Sequence, residues 1–205
     1  MNAFTEFLNE AAQRGEAVNT LFEERLFDLV GVLSLIADAL ASEGIPYEVI
    51  GGLAVLIHVE EVSPEHSSLT RDVDVMVRRS DLDHIKEIAA KSSFRFRPAA
   101  GVDMLVYEGA ESAKSAVHLV FSEEKVRPGY LSPTPAISPQ TMRIHRREVM
   151  VIPVSGLLQM KLTSFRLKDQ VHIKSLDAAG VITPDVESTL SAELRARLAQ
   201  VRVTE

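Results

Sequence analysis

The sequence predicts an α/β (α+β) protein: a short mixed β-sheet flanked by helices, with extra helices at the N- and C-terminal ends. Amphipathic stretches of helical period open and close the chain, and short β-branched runs occupy its middle. Glycine or proline punctuates most of the changes between them. With 205 residues, 46% of them hydrophobic, the chain can bury one sizeable core and carry helical additions. Residues 1–45 are expected as N-terminal helices packed on the core, 46–126 as the α/β core, and 127–205 as a loop, a hairpin and C-terminal helices of the same single domain. There is no internal repeat.

A short helix is expected from Asn2 to about Gln13, where Phe4, Phe7, Leu8 and Ala11 share a face and Gly15 follows. A longer one carries Leu21 to Leu40 and stops at Gly44 and Pro46. YEVIGG reads as a strand ending in two glycines, after which LAVLIHV resumes as a helix apolar nearly all round. The polar insert EEVSPEHSSLT leads to the strand DVDVMV, and SDLDHIKEIAAKS reads as a helix with Ser80 as N-cap. FRFRPA, VDMLVY and AVHLVF are candidate strands. Four prolines and a glycine make 127–141 a surface loop, from which the hairpin-like MRIHRREVMVIP emerges. SGLLQMKLTSFRLKDQVHIKSLDAA is helical, broken at most once, and the tail from Thr183 is one further helix starting at Pro184.

Composition narrows the chemistry. Zero cysteines removes disulfides, thiolate metal sites and cysteine nucleophiles, leaving carboxylates, histidines and lysines, so any metal should be oxygen-bound. The chain has no long uncharged apolar run, and its first residues, MNAFTEFLNEAAQRGE, are acidic where a signal peptide is basic and then apolar. A cytoplasmic protein without a membrane partner is therefore expected. The net charge of −7 argues against a surface that coats nucleic acid. Charge is uneven, however: residues 1–66 hold 2 Lys/Arg against 12 Asp/Glu, and 142–174 hold 7 against 2. The later segment could form a local cationic surface, or the two could face one another. No H-E-x-x-H, G-x-S-x-G or G-x-x-x-x-G-K occurs.

The chemistry concentrates in two stretches. Asp72 and Asp74, one residue apart in a valine-rich strand, point the same way while Val73, Val75 and Val77 point into the core. Two carboxylates so placed repel each other unless a cation lies between them, and magnesium, which takes oxygen ligands together with substrate phosphates, fits that need. The bland alternative is a solvated strand face paired with Arg71 and Arg78. Upstream, Gly51-Gly52 between strand and helix permits close approach of a ligand and presents helix N-terminal N–H groups to phosphate.

VIGG, a helix and then DVDV on the next strand together resemble the nucleotidyltransferase superfamily, the polymerase-beta-like fold, over residues 49–77. The later MKLTSFRLKD resembles the basic helical motif of the AbiEii-like, minimal nucleotidyltransferase branch, which includes toxin-antitoxin components, and extends the likeness over roughly 45–180. The resemblance implies transfer of a nucleoside monophosphate from a magnesium-bound nucleoside triphosphate to an acceptor such as RNA or protein. It implies that Gly51 and Gly52 contact the triphosphate and that Asp72 and Asp74 hold Mg2+; with them, Thr70, Arg71, Lys161 and Lys168 are expected to bind nucleotide, and His118 to complete a catalytic set with Asp72 and Asp74.

Two features depart from that pattern. The spacer between Gly52 and Asp72 is 19 residues, longer than usual, and the excess falls in the EEVSPEHSS insert, a possible flap. Where the family places a third carboxylate, AVHLVF offers His118; Asp103, or less well Glu123 and Glu124, could supply a carboxylate instead. A neutral imidazole can accept a proton but brings no negative charge to a metal site. This departure leaves a second reading open, a catalytically degenerate nucleotidyltransferase fold used for binding or regulation. On a regular helix Lys161, Lys168 and His172 fall within about 40° of one another, beside Leu157, Met160, Ser164 and Val171. That phase points Arg166 elsewhere and leaves Asp169 to pair with Arg166 or cap the helix. The cationic row could meet a triphosphate, or could simply be a solvated face.

Overall fold

The computed structural model describes residues 24, 26–66, 70, 72–99, 101–108, 116–144 and 147–204. The expected helix from Asn2 to Gln13 lies outside them. Helix α1 occupies residues 26–42 and buries Leu26, Leu29, Leu33, Ile36 and Leu40, the face set by its helical period. It ends at Gly44, whose φ of +67° lies in the left-handed region that glycine enters at little cost.

Strand β1 (Glu48–Ile50) runs directly into α2 (Gly51–Glu60), buried from Gly52 to Val59. That burial explains its nearly unbroken apolar sequence. After a single 3₁₀ turn at Pro64–His66 come β2 (Val73–Val77), α3 (Leu82–Lys91), β3 (Phe94–Ala99), β4 (Val102–Tyr107) and β5 (Ala116–Phe121). The hairpin β6 (Gln140–Ile144) and β7 (Arg147–Val151) follows, then α4 (Val154–Ser164), α5 (Leu167–Ala178), α6 (Pro184–Ser188) and α7 (Ala192–Val203). Two local expectations are corrected. Ser80 does not cap α3; it sits in a 3₁₀ turn, Arg79–Asp81, and its hydroxyl donates to Asp81. The tail is two helices, because Ser191 begins a new one by accepting from the Leu194 N–H.

Among the described residues seven strands form one mixed sheet in the order β3-β4-β5-β2-β1-β7-β6. Its centre is the part that matters for chemistry. Antiparallel β1 sets Ile50 opposite Asp74, and parallel β5 sets His118 opposite Asp74 on the other side. Beyond β1, β7 pairs parallel with it through Val49 and Val151 and carries β6 as the edge strand, which ties the segment after residue 127 into the same sheet. Helix α2 packs on β2 and against α5 and α4, so the glycine turn, the aspartate strand and the basic helices converge.

Candidate functional site

The two glycines are required by close approach. Gly51 has φ +71°, and a Cβ built there would lie 2.0 Å from Asp74 Oδ2. The Asp74 carboxylate is thus seated against the first residue of α2, where free N–H groups and the helix dipole favour negative charge. Gly52 makes room for a different group: its Cβ would lie 2.5 Å from Thr70 Oγ1 and 3.4 Å from the His172 ring. Thr70 and His172 are buried, and Thr70 Oγ1 and His172 Nδ1 have no hydrogen-bond partner among the described residues. Burial, then the charges of Lys161 and Lys168, push the His172 imidazole down to about 4, so it is neutral at pH 7.

His118 occupies the place opposite Asp74, and its Nδ1 hydrogen-bonds Asp74 Oδ1 at 3.0 Å. That bond raises the imidazole above its ordinary value in spite of partial burial. The alternatives are engaged elsewhere. Asp103 is opposite Leu119, hence on the other face of β4, and the exposed Arg79 takes Glu124 at 2.6 Å with Asp103 3.9 Å away. Glu123 is exposed in the turn after β5. Asp72 precedes β2 by one residue and stands 47% exposed, with Lys168 Nζ 4.0 Å from its Oδ2. Arg71 lies outside the described residues.

The basic stretch is not one helix. Phe165 takes φ +50°, ends α4 and rotates α5 out of phase, so Lys161, Lys168 and His172 do not form the expected row. Val171, expected on the apolar stripe, is exposed. Lys161 is buried, and Lys168 is exposed beside Asp72. Arg166, expected to point away, instead joins Lys161 around Asp169. Asp169 is fully buried: it accepts from Arg166 Nε at 2.7 Å, Ser164 Oγ at 2.6 Å and Lys161 Nζ at 3.2 Å. It also accepts from the Arg166 backbone N–H and so caps α5. Burial opposes its ionisation, but Arg166, Lys161 and Ser164 outweigh burial and hold it at about 2. Burial draws the Lys161 ammonium below its usual range, against the pull of Asp169 and Asp74.

These groups open on one cleft of about 470 Å³. Gly51, Asp74, His118, Lys161, Arg166 and Asp169 line it, and the loop after β5 adds Arg127 and Tyr130. Of the residues singled out from sequence, this cleft unites Gly51, Asp74, His118 and Lys161; Asp72 with Lys168 and Gly52 with Thr70 and His172 form separate groups beside it. Arg166, Asp169, Arg127 and Tyr130 are the residues that sequence reasoning left out of the site. The signal available for the first two was Asp169 standing three residues after Arg166, the spacing of a side chain that caps a helix start. Three cations against two carboxylates suit a polyphosphate. For magnesium, Asp74 and Asp72 are the right donor type, since such an ion takes one or two carboxylates and completes its shell with phosphate and water. Among the described residues no three His, Asp or Glu converge to hold a metal unaided. The donor set therefore fits an ion that arrives with phosphate.

Solved structures share this architecture. The chain is similar to the antibiotic-resistance factor ANT(2'')-Ia in its solution structure, at 12% identity and TM-score 0.55, over 84% of this chain and 90% of that one. A crystal structure of ANT(2'')-Ia in complex with adenylyl-2''-tobramycin aligns at 12% identity and TM-score 0.52, covering 84% and 96% of the two chains. An antigenic nucleotidyltransferase-like protein from Paracoccidioides brasiliensis aligns at 18% and 0.55, covering 85% and 87%. No family model and no curated protein matches the sequence. The fold is thus that of nucleotidyltransferase structures, in agreement with the expectation from VIGG and DVDV. No helix among the described residues is long and apolar enough to cross a membrane.

Proposed function

We propose that this protein transfers a nucleoside monophosphate from a magnesium-bound nucleoside triphosphate to a hydroxyl on an acceptor. The observation that carries this reading is the seating of Asp74 against Gly51, opposite His118, in the cleft that also holds Lys161 and Arg166. Asp74 and Asp72 would hold Mg2+, which when bound offsets triphosphate charge and polarises the phosphoryl oxygens. Lys161 and Arg166, both fastened by Asp169, neutralise charge that builds on the phosphates. With Nδ1–H donated to Asp74, His118 keeps Nε2 free to accept the proton of the attacking hydroxyl. The acceptor oxygen forms a bond to the α-phosphorus, and the bond to the leaving pyrophosphate breaks.

The acceptor class best supported by the likeness of MKLTSFRLKD to the AbiEii-like branch is RNA or protein, in a toxin-like modification in the cytoplasm. ANT(2'')-Ia, whose complex holds an adenylylated tobramycin, brings small hydroxylated acceptors into the same test. Each α-labelled triphosphate is incubated with the protein, magnesium and cellular RNA, cellular protein or tobramycin. Label should pass to one acceptor class, vanish with Asp74→Ala and vanish on chelation of magnesium. A second reading, nucleotide binding without transfer, rests on His118 standing where a third carboxylate is expected, with none of Asp103, Glu123 or Glu124 replacing it in the cleft. Triphosphate binding that persists with no transfer to any acceptor decides for it.

A further inference from the structure

We infer that the far end of the cleft is a nucleobase subsite, in which Tyr130 stacks on the base over an apolar floor of Val120 and Val102. The inference rests on the reading of the cleft as a triphosphate site and names the part of it that recognises the rest of the nucleotide.

The sheet register supplies the first argument. Ile50, Asp74, His118 and Met104 lie side by side across four strands, and the next same-face row is Glu48, Met76, Val120 and Val102. Adjacent same-face rows are about 6–7 Å apart along a strand. Moving that distance from the Asp74–His118 pair, the floor over β2, β5 and β4 changes from titratable to apolar, and Glu48 at the β1 end of the row is buried and held by the Ser138 N–H.

The second argument is the roof. Residues 122–139 carry no helix or strand, yet they are fastened at several points. Thr134, buried, donates its hydroxyl to the Phe121 carbonyl at 2.6 Å, and its backbone N–H and C=O bond Glu124 and Glu123. Gln159 of α4 donates to the Pro133 carbonyl, and the Ser138 N–H donates to the buried Glu48 carboxylate. The segment is a fixed strap over the second row, and it brings Val126, Arg127 and Tyr130 to the cleft.

The third argument is exposure. Val102 is 40% and Val126 53% exposed, and both line this one cleft with the half-buried Tyr130. Exposed apolar side chains gathered at a cavity mark a ligand surface rather than a defect of packing. A nucleotide has a matching division: a flat apolar ring at one end and a polyanion at the other. With the phosphates at Lys161 and Arg166, the ring reaches the valine row, and a tyrosine ring is the kind of platform on which bases stack without strong preference among them. Tyr130 and Arg166 line the same cleft, so a single ligand can meet both.

The test compares each nucleoside triphosphate with inorganic tripolyphosphate, both with magnesium, by isothermal titration. Wild type should bind its preferred triphosphate at least about tenfold more tightly than tripolyphosphate, as stacking of one base allows. Tyr130→Ala should bring the two to within about threefold by weakening the nucleotide alone, and Tyr130→Phe should keep the wild-type ratio. Unchanged tripolyphosphate affinity in Tyr130→Ala shows that the variant is folded with its phosphate end intact. The inference is overturned if Tyr130→Ala keeps the wild-type ratio, or if wild type binds both ligands equally. Wild type that binds neither ligand overturns the triphosphate reading itself, and the base subsite with it.

Discussion

Gly51 and Asp169 show two opposite ways in which one residue holds the site. Gly51 acts by what it lacks. Its φ of +71° costs an ordinary L-residue about 1–2 kcal/mol, and the Cβ would also strike the Asp74 carboxylate at 2.0 Å. Gly51→Ala should therefore lower stability by more than that backbone figure and displace Asp74, so that thermal unfolding and nucleotide transfer both fall. A variant that melts like wild type would contradict the close approach. Asp169 acts by what it gathers. It is the shared partner of Lys161 and Arg166, and removing one member of a buried pair strands the other. Asp169→Asn should cost about 3 kcal/mol by chemical denaturation and should raise KM for the triphosphate, since both cations lose their tether. Asp169 itself was legible only as a local cap, because its burial and its bond to Lys161 depend on a helix break that period alone does not reveal.

Among the elements, the strands of the core and their contents were legible, and the helices less so. Alternation places Asp74 and Val75 on opposite faces whatever sheet they enter, so β2, β4 and β5 follow from composition and period two. Helical phase is cumulative, and one residue at φ +50° invalidates every later position. Phe165 is that residue: it moves Arg166 into the cleft and Val171 into solvent. The misread tail has the same cause, a cap inside an apparently continuous period. Ser191 accepts from Leu194 N–H and starts α7, which buries Leu194, Leu198 and Val201. Ser191→Ala should cost about 1 kcal/mol, the usual worth of such a cap, read as a lowered melting temperature with nucleotide affinity unchanged. A loss well beyond that would assign Ser191 a role beyond capping.

At the scale of the whole molecule, buried His172 and Asp169 make stability fall on acidification; His58, which burial also holds below its ordinary value, acts in the same sense, and His118, raised by Asp74, acts against them. His172 titrates near its ordinary 6.5 when unfolded but is held at about 4 in the fold. A folded value below the unfolded one contributes stability that is complete above 6.5 and is lost as pH falls toward 4, worth about 3 kcal/mol from the size of the shift. Asp169, held at about 2 against an unfolded 3.8, contributes in the same sense over the lower window, about 2 kcal/mol. Melting temperature should thus decline in two stages on acidification. His172→Gln should shrink the stage between 6.5 and 4, leaving the share due to His58, and Asp169→Asn should flatten the stage below 4. An upper stage of undiminished size in His172→Gln would assign it to His58 instead.

What the sequence by itself determined is the ordered set of local features: strand, Gly-Gly and helix, then a carboxylate strand, a basic stretch and no thiols. Each depends on neighbours a few residues apart, where backbone sterics and side-chain period decide the outcome. Tertiary structure alone decided which of those features share a cleft. The parallel pairing of β2 with β5 set His118 rather than Asp103 against Asp74, and the left-handed turn at Phe165 exchanged Lys168 for Arg166. It also laid the strap at residues 122–139 over an apolar row, since its hydrogen bonds to Glu48 and Gln159 join it to elements remote in the chain. Such contacts are chosen by the packing of the whole core, and no local period encodes them.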